Sequence, residues 1–328
     1  MTTRILGRSG IEVSALGMGC WAIGGPFYGP DGQPYGWGEV DDAESTRAIH
    51  RALELGVTLF DTADVYGAGH SERVLGRALR GHRDEVVIAT KWGNLFDEPN
   101  RIMDGADASP DYLRRAVEAS LRRLDTDWID LYQLHLGGLE IEAAGALLGT
   151  LEDLVTEGKI RWYGWSTDSA DRAAAWGREG AHCTAVQHDF SVLHLTTPEV
   201  LTVCEELNLA SINRGPLAMG LLTGKYTAQS RLGPDDVRGI SPEWMVLYRD
   251  GRPAPEQLAR VAAVREVLTA DGRTLAQGAL GWLWARSDLT VPIPGCRTVA
   301  QVEENAGALR RGPLSPAQVD EIAKLLTA

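Results

Sequence analysis

The chain alternates between short apolar runs and longer segments in which apolar residues recur at helical spacing. Residues 41–55 show the helical pattern, which ends at Gly56. Residues 57–60 follow as a β-prone run, and residues 71–79 repeat the helical pattern. The pattern therefore predicts a helix, a strand, a loop and a second helix in this order, with Asp61 at the end of the strand.

The same alternation continues along the chain and predicts about eight strands, each followed by a helix, as in a (β/α)₈ barrel. The strands are predicted at residues 16–20, 57–60, 86–90, 128–134, 160–165, 184–186, 209–212 and 290–294. The helices are predicted at residues 41–55, 71–79, 111–124, 141–157, 169–178, 198–207, 257–269, 274–285, 299–309 and 315–327.

A short hairpin is predicted ahead of the barrel strands. Residues 4–15 alternate loosely between apolar and polar side chains, with a turn at Gly7-Arg8-Ser9-Gly10. No composition shift, linker or repeat divides residues 1–328. We therefore predict an α/β fold formed by a single domain, a (β/α)₈ TIM barrel with an N-terminal β-hairpin and an extra C-terminal helix. A doubly wound sheet is the competing architecture, but its Gly-x-Gly-x-x-Gly turn after the first strand is missing.

Composition and charge narrow the class of protein. The 328 residues carry a formal net charge of −13, with a pI near 5.0. This charge argues against nucleic acid and against an anionic membrane surface as partners. The chain shows no signal-peptide pattern and no apolar stretch of membrane-spanning length. The protein is predicted to be cytoplasmic, as a monomer or homo-oligomer, with a small molecule as its substrate.

The cysteines point to no covalent or metal framework. Cys20, Cys183, Cys204 and Cys296 are far apart and belong to no Cys-x-x-Cys or Cys-x-x-His motif. We therefore expect reduced, buried thiols, with no disulfide and no metal site.

Polar residues stand at the ends of the predicted strands. Asp61, Lys91 and His135 each follow directly on an apolar run, and Tyr66 lies on the loop after Asp61. In a barrel, the carboxyl ends of all strands surround one mouth, where active sites form. A buried lysine is costly without a carboxylate, and Asp61 is available to pair with Lys91. The pair is expected to favour the phenolate of Tyr66 and make the phenol a better proton donor, while His135 can hydrogen-bond a substrate oxygen.

Several stretches of the chain are similar, in the same order, to those of aldo-keto reductases. The resemblance covers essentially the whole length, and the branch resembled is the bacterial one that also includes the β-subunits of voltage-gated potassium channels. The matching stretches are Phe60-Asp61-Thr62-Ala63-Asp64-Val65-Tyr66-Gly67, Ser71-Glu72-Arg73-Val74-Leu75-Gly76, Ala89-Thr90-Lys91-Trp92-Gly93, Asp130-Leu131-Tyr132-Gln133-Leu134-His135, Pro216-Leu217-Ala218-Met219-Gly220-Leu221-Leu222-Thr223-Gly224-Lys225-Tyr226, and Pro292-Ile293-Pro294-Gly295 through Glu304-Asn305.

The resemblance implies a catalytic tetrad and a reaction. Tyr66 would be the general acid, Asp61 and Lys91 would tune it, and His135 would orient the carbonyl. The implied activity is an NADPH-dependent oxidoreductase that reduces an aldehyde or ketone to an alcohol, or catalyses the reverse oxidation. The alternative is a cofactor-sensing regulatory or interaction module like the channel β-subunits, which the lack of a long basic N-terminal segment before the barrel weakens.

The resemblance also implies where NADPH or NADP⁺ binds. Ser166 and Gln187 would hold the nicotinamide carboxamide, and the segment after the last strand would hold the adenine and the 2′-phosphate. Arg297 offers a planar fork of donors suited to a phosphate. The residues implied in cofactor binding are Ser166, Thr167, Gln187, Arg214, Pro216, Leu217, Gly220, Leu221, Lys225, Gly295, Arg297, Gln301, Glu304 and Asn305.

Three positions depart from the usual pattern of aldo-keto reductases. Thr167 stands where asparagine is usual after the serine of the fifth strand, and Arg214 stands where many members stack an aromatic ring on the nicotinamide. Residues 136–138 replace a more usual proline-containing ending after the histidine. Aromatic residues on loops expected around the mouth, Trp21 and Trp92 among them, are predicted to form an apolar wall for the substrate.

Overall fold

The computed structural model describes residues 2–194 and 198–327. Its strands, in chain order, are β1 (Thr3–Ile5), β2 (Glu12–Ser14), β3 (Gly17–Gly19), β4 (Leu59–Asp61), β5 (Val87–Trp92), β6 (Asn94–Asp97), β7 (Ile102–Ala106), β8 (Ile129–Leu134), β9 (Ile160–Ser166), β10 (Cys183–Asp189), β11 (Ala210–Arg214), β12 (Tyr248–Arg249), β13 (Arg252–Pro253) and β14 (Thr290–Pro292). Its α-helices are α1 (Asp42–Glu54), α2 (His70–Ala78), α3 (Pro110–Leu124), α4 (Ile141–Gly145), α5 (Leu148–Thr156), α6 (Ala170–Glu179), α7 (Pro198–Leu207), α8 (Val237–Ile240), α9 (Pro255–Leu268), α10 (Leu275–Trp284), α11 (Val299–Gly307) and α12 (Pro316–Thr327).

Eight of these strands form one parallel sheet in the spatial order β3, β4, β5, β8, β9, β10, β11, β14. The sheet closes on itself, because Gly19 N donates to Pro294 O at 3.0 Å and Gly19 forms a parallel bridge with Gly295. Helices surround the barrel between successive strands. The predicted (β/α)₈ barrel, its N-terminal hairpin β1–β2 and its extra C-terminal helix α12 are confirmed.

Side chains alternate between the inside of the barrel and the helix layer around it. In β4, Leu59 belongs to the apolar cluster inside the barrel, whereas Phe60 packs with the helices outside. In β5, Val87 and Ala89 point inward and Ile88 points outward. Successive side chains on a strand face opposite sides, so every second residue points into the barrel. The residue two positions after the last inward apolar side chain therefore also points inward and lies closer to the mouth at the carboxyl ends of the strands.

The hairpin β1–β2 closes the other end of the barrel. Leu6 and Val13 are buried among the inward apolar residues of the barrel strands. Gly7 brings the turn against the barrel with a φ of +53°, and a Cβ there would lie 2.1 Å from Thr184 O. Only glycine fits this close approach. The mouth at the carboxyl ends is therefore the open end of the barrel.

The predicted element map is wrong in several parts, and it also lacks helix α8 and the antiparallel pair β12–β13. The single helix predicted over 141–157 is two helices, α4 and α5, and the glycines at 145 and 149 weaken helix propensity on either side of the break. The antiparallel hairpin β6–β7 was not predicted, because its residues are rich in Asp, Asn, Gly and Pro and show no period of two.

All four cysteines are buried and unbonded to one another. Within the two described ranges, none of the helices is long and apolar enough to cross a lipid bilayer.

Candidate active site

Lys91 is the centre of the polar cluster at the mouth. Its Nζ donates to Asp61 Oδ1 at 2.6 Å, to Thr62 O at 2.8 Å and to Tyr66 Oη at 3.1 Å. Lys91 is fully buried and Asp61 is 2 % exposed. Both residues occupy the inward position that follows the apolar residues of their strands, so the alternation of β4 and β5 brings the two charges together. The three acceptors satisfy the three N–H groups of the ammonium.

The loop after β4 places the side chain of Tyr66 next to Lys91. Gly67 has a φ of +62°, and a Cβ there would lie 1.8 Å from Gly24 O, so the loop passes directly against the segment that carries Trp21. The Trp21 ring stacks on the Tyr66 ring with centroids 6.0 Å apart, and the His135 ring meets it edge-on at 5.8 Å. Tyr66 is thereby held between two rings with its hydroxyl on Lys91.

His135 lies at the end of β8, where its backbone N donates to Trp92 O at 2.7 Å. Burial, the Lys91 ammonium and the Arg214 guanidinium hold the pKa of the imidazole well below its usual range. The ring is therefore neutral at physiological pH and offers one N–H donor. Its Nδ1 is buried and makes no hydrogen bond to any described residue.

The pKa of Tyr66 differs from the sequence expectation. Burial raises the pKa of the phenol, and the Lys91 ammonium lowers it by less than burial raises it. For Lys91, burial opposes the charge, but Asp61 and Tyr66 raise the pKa of the ammonium above its ordinary value. The phenol is thus protonated at physiological pH, as a proton donor must be. Lys91 lowers the pKa of Tyr66, as the sequence predicts, but burial outweighs this effect and the net pKa is raised.

Asp61 has further partners that the sequence analysis missed. Its Oδ2 accepts from Gln133 Nε2 at 3.1 Å and from Gln187 Nε2 at 2.7 Å, and Gln187 Nε2 also donates to Gln133 Oε1 at 3.3 Å. Gln133 is a fully buried residue of β8. It lies two positions before His135 on the same face of the strand, and this spacing was the available signal.

Ser166, which is predicted to hold the carboxamide, and its neighbour Thr167, which stands where asparagine is usual, differ in what their side chains already contact. Ser166, at the end of β9, is 7 % exposed, and no described residue bonds to its hydroxyl. Thr167 Oγ1 instead donates to Gly137 O at 2.8 Å and accepts from Ser169 N at 3.2 Å, at the start of α6. The hydroxyl of Thr167 therefore ties together the loops that follow β8 and β9.

Arg214, at the end of β11, is held by two aspartates. Its Nη2 contacts Asp168 Oδ2 in a short ion pair, and its Nη1 lies 3.3 Å from Asp189 Oδ2. Asp168 Oδ1 also accepts from Asp189 N at 2.8 Å. This acidic pair fixes a guanidinium at the mouth, near enough to His135 and Tyr66 to affect the pKa of each.

The segment after β11 turns tightly around left-handed backbone. Gly215, Ala218, Met219, Gly220 and Gly224 all have positive φ. The turns use part of their own backbone donors, because Ala218 N, Gly220 N and Gly224 N donate to Gly215 O, Leu217 O and Leu221 O. The predicted cofactor residues on this segment are Pro216 and Leu217, which are buried, Gly220, which is partly exposed, Leu221, which is buried, and Lys225, which is exposed.

The segment after β14 leads into α11 and carries Arg297. The Arg297 Nη1 donates to Trp37 O at 3.0 Å, and its backbone N donates to Gln301 Oε1 at 2.8 Å. Val299 N, at the start of α11, donates to Glu44 Oε1 at 2.9 Å. A carboxylate of this chain thus already accepts from one of the backbone N–H groups at the N-terminus of α11.

Other predicted cofactor residues lie on the same segment. Asn305 is buried and its Nδ2 donates to Cys296 Sγ at 3.2 Å, while Gly295 is exposed and Glu304 is partly exposed. Cys296 lies between Gly295 and Arg297, so Asn305 reaches back to the loop from the second turn of α11.

The two predicted substrate-wall tryptophans lie on opposite sides of the barrel wall. Trp21 is partly exposed, stacks on Tyr66 and donates its Nε1 to Tyr35 O at 3.1 Å. Trp92 is 0 % exposed and stacks on Tyr132 in the helix layer, so its position does not support a role as a substrate wall. Because Lys91 points into the barrel, the next residue must point outward.

The model of the Aldo/keto reductase family matches residues 15–327. The chain is 35 % identical to aldo-keto reductase yakc [NADP(+)] of Schizosaccharomyces pombe over 333 residues, covering 98 % of this chain and 90 % of that protein.

Solved structures are similar over nearly the whole chain. The glycerol dehydrogenase AKR11B4 from Gluconobacter oxydans has a TM-score of 0.81 at 30 % identity, covering 99 % of this chain and 95 % of that one. An aldo/keto reductase from Klebsiella pneumoniae, in complex with NADP and acetate, has a TM-score of 0.71 at 25 % identity, with the same coverage of 99 % and 95 %.

Proposed function

This chain belongs to the aldo/keto reductase family, and from that premise we propose that it is an NADPH-dependent oxidoreductase that reduces an aldehyde or ketone to an alcohol, or oxidises the alcohol. The observation that carries the proposal is the Tyr66 hydroxyl at 3.1 Å from Lys91 Nζ, with Lys91 paired to Asp61 and His135 edge-on to the phenol ring. This arrangement provides a positioned proton donor beside a hydrogen-bond donor for one oxygen atom.

Each of the four side chains, Tyr66, Lys91, Asp61 and His135, has a separate role at the carbonyl oxygen of the substrate. Tyr66 donates its phenolic proton to that oxygen, and the Lys91 ammonium stabilises the phenolate that remains. Asp61 keeps Lys91 charged and in place in a fully buried position. The neutral His135 donates a hydrogen bond that orients the same oxygen. NADPH, when bound, supplies the hydride for the carbonyl carbon. In alcohol oxidation, the Tyr66 phenolate takes the proton back.

The donor set at the mouth fits the cofactor that the family implies. A carboxamide needs one donor and one acceptor, which the Ser166 hydroxyl and Gln187 Oε1 can provide, since neither is bonded to a described residue. Arg297 and Gln301 would hold the 2′-phosphate, with Glu304 and Asn305 toward the adenine. The diphosphate would lie against the left-handed segment 215–224. Two of the relatives named above support this cofactor: the Schizosaccharomyces pombe protein has NADP(+) in its name, and the Klebsiella pneumoniae structure contains NADP.

A screen of substrates tests the proposal. Purified protein with NADPH is offered aldehydes, ketones and keto-sugars, and with NADP⁺ is offered alcohols and polyols, since one structural relative is named a glycerol dehydrogenase. We expect oxidation of NADPH with at least one carbonyl class. Failure to oxidise NADPH with any carbonyl, together with failure to reduce NADP⁺ with any alcohol, would contradict the proposal.

The regulatory alternative is not favoured. A sensing module needs the cofactor site but not a proton donor, whereas the Asp61, Lys91 and Tyr66 contacts here are complete. We further propose a cytoplasmic location for a monomer or homo-oligomer that acts on a small molecule. The unbonded cysteines support a reducing compartment.

Arg297→Ala is expected to weaken NADPH binding by about 1.5–3 kcal/mol, the range for a hydrogen bond to a charged group, and to change NADH binding little. The 2′-phosphate is the only difference between the two cofactors. Loss of the Arg297 hydrogen bond to Trp37 O would affect both equally, so the difference between them isolates the phosphate. Fluorescence titration with both nucleotides measures it, and an equal loss for the two would refute the phosphate role.

Glu44→Gln is expected to have the opposite effect on NADPH binding, because it removes a negative charge near Arg297 at the start of α11. The Val299 N–H and the Arg47 guanidinium hold the pKa of Glu44 below its ordinary value, so a negative charge stands at the α11 N-terminus. Removing that charge should tighten NADPH by roughly 2- to 5-fold, the effect of one charge at a helix end, and leave NADH nearly unchanged. The same titration decides it, and NADPH binding that does not become tighter would contradict a 2′-phosphate site beside Glu44.

A further inference from the structure

Gln133 occupies the layer directly beneath the proposed reacting groups. It is fully buried in β8, opposite Lys91 on one neighbouring strand and Gly164 on the other. The inward position before it on β8 is Leu131, which belongs to the apolar interior, and the inward position after it is His135. Gln133 is thus the point at which the apolar filling of the barrel changes to the polar cluster.

The carboxylate of Asp61 determines the orientation of the side-chain amides of Gln133 and Gln187. Its Oδ1 is taken by Lys91, and its Oδ2 accepts from both Gln133 and Gln187. A carboxylate paired with an ammonium can only accept hydrogen bonds. Both glutamines must therefore present their NH₂ groups to Asp61, and their carbonyl oxygens must point elsewhere.

The carbonyl oxygen of Gln133 points at Gln187. Gln187 Nε2 donates one hydrogen to Asp61 Oδ2 at 2.7 Å and the other to Gln133 Oε1 at 3.3 Å. An amide NH₂ has only two hydrogens, so both are used inside the protein. The group of Gln187 that remains for a ligand is its carbonyl oxygen.

We infer that Gln133 is a positioning residue with two effects: it holds Asp61 beneath Lys91, and it fixes the amide of Gln187 so that this residue meets the nicotinamide carboxamide only as an acceptor. The carboxamide must then donate its NH₂ to Gln187, while its oxygen accepts from Ser166. The inference rests on the proposed function, because it assigns roles within that same site.

Gln133→Leu tests the inference. The substitution keeps a side chain of similar size in the barrel, but it removes the hydrogen-bond donor to Asp61 and the hydrogen-bond acceptor for Gln187. We expect turnover to fall by about 10-fold or more, the value of one hydrogen bond to a charged group. We also expect weaker NADPH binding and a larger primary isotope effect with deuterated cofactor, because hydride transfer becomes slower. If Gln133 only fills space, turnover and the isotope effect will match the wild type.

Thr184→Val is the matched control. Thr184 is a buried residue of β10, the strand that carries Gln187, and its hydroxyl donates to Leu6 O at the closed end of the barrel. The variant also loses a buried hydrogen bond, but far from Asp61. It should lower the melting temperature without changing turnover or the isotope effect.

Gln133→Glu gives a second, independent readout. Burial and the neighbouring Asp61 raise the pKa of the introduced carboxyl. While protonated, that carboxyl can donate to Asp61 and accept from Gln187, as the amide does. Once ionised, it can only accept, and it repels Asp61. The activity of this variant relative to wild type should therefore recover as pH falls, whereas that of Gln133→Leu should stay low at every pH.

The ionisable groups around position 133 are common to wild type and variants. Asp61 lies on β4, Tyr66 on the loop after β4, Lys91 on β5 and His135 at the end of β8, so the wild-type profile over the same pH range is the reference. If Gln133→Leu does not fold, the profile of Gln133→Glu still decides, and a profile parallel to wild type overturns the inference. An inactive wild type would instead contradict the proposed function.

Discussion

Tyr66→Phe is expected to lower the rate of carbonyl reduction by at least about 10²-fold, the loss that follows removal of a general acid. The variant keeps the ring that stacks on Trp21 and meets His135 edge-on, so the geometry of the site is retained. Only the hydroxyl on Lys91 is removed. Steady-state turnover with the best carbonyl substrate measures the effect, and titration with NADPH should show binding close to that of wild type.

Tyr163→Phe is the matched control for this loss. Its hydroxyl donates to Glu152 Oε1 at 2.6 Å, so the substitution also removes one phenolic hydrogen bond, but on the outside of the barrel. Turnover should be unaffected in this variant. Near-normal turnover of Tyr66→Phe, in the same assay, would remove Tyr66 from the mechanism.

Lys91→Met is expected to abolish efficient turnover and to destabilise the fold. Removing one partner of a buried ion pair costs about 3–5 kcal/mol, because the other charge stays buried without compensation. The two amides on Asp61 Oδ2 soften this loss, so we expect the lower end of the range. The Lys91 ammonium also lowers the pKa of Tyr66, so its removal should shift the phenol further from donating its proton. Chemical denaturation and turnover measure the two effects.

The pH dependence of the Lys91→Met variant has a definite sign. Without Lys91, the Asp61 carboxylate has no counter-charge in its buried site, whereas it is solvated in the unfolded chain, so folding disfavours its charged form. The folded state then binds the proton more tightly, so the free energy of unfolding of the variant should improve relative to wild type as pH falls and worsen as pH rises. Denaturation midpoints across the acid range check this.

A double variant separates stability from catalysis. Adding Asp61→Asn to Lys91→Met removes the unpaired charge while keeping an amide of similar shape, so most of the lost stability should return. Turnover should stay low, because neither the ammonium nor its carboxylate is present. If Lys91→Met alone leaves both turnover and melting temperature unchanged, the two residues do not form a buried functional pair.

The outward position of Trp92 could have been predicted from the alternation of side chains along β5. The same alternation that sends Leu59 and Asp61 inward, with Phe60 outward, requires Trp92 to face away from Lys91. Its placement against Tyr132 in the helix layer follows from that period. Gln133 shares the inward face with Leu131 and His135, so the same reasoning would have found it.

The sequence by itself determined the eight barrel strands, most of the helices around them, and the face that each strand side chain takes. Alternation identified the barrel strands, and the polar residue after each apolar run gave Asp61, Lys91 and His135. Because the carboxyl ends of parallel barrel strands surround one mouth, residues that are distant in the chain could be assigned to one site. This reasoning needs only local periodicity and the topology of the fold.

Only the tertiary structure decided which polar groups already satisfy one another. Gln187 is bonded to residues 126 and 54 positions away, and Glu44 reaches Val299 across 255 positions. Arg214 is likewise held by Asp168 and Asp189. Such pairs depend on strand stagger and loop paths, which place donor and acceptor atoms to within about 0.3 Å of bonding distance. The raised pKa of Tyr66 has the same origin, because burial is a property of the whole packed molecule and not of a local pattern.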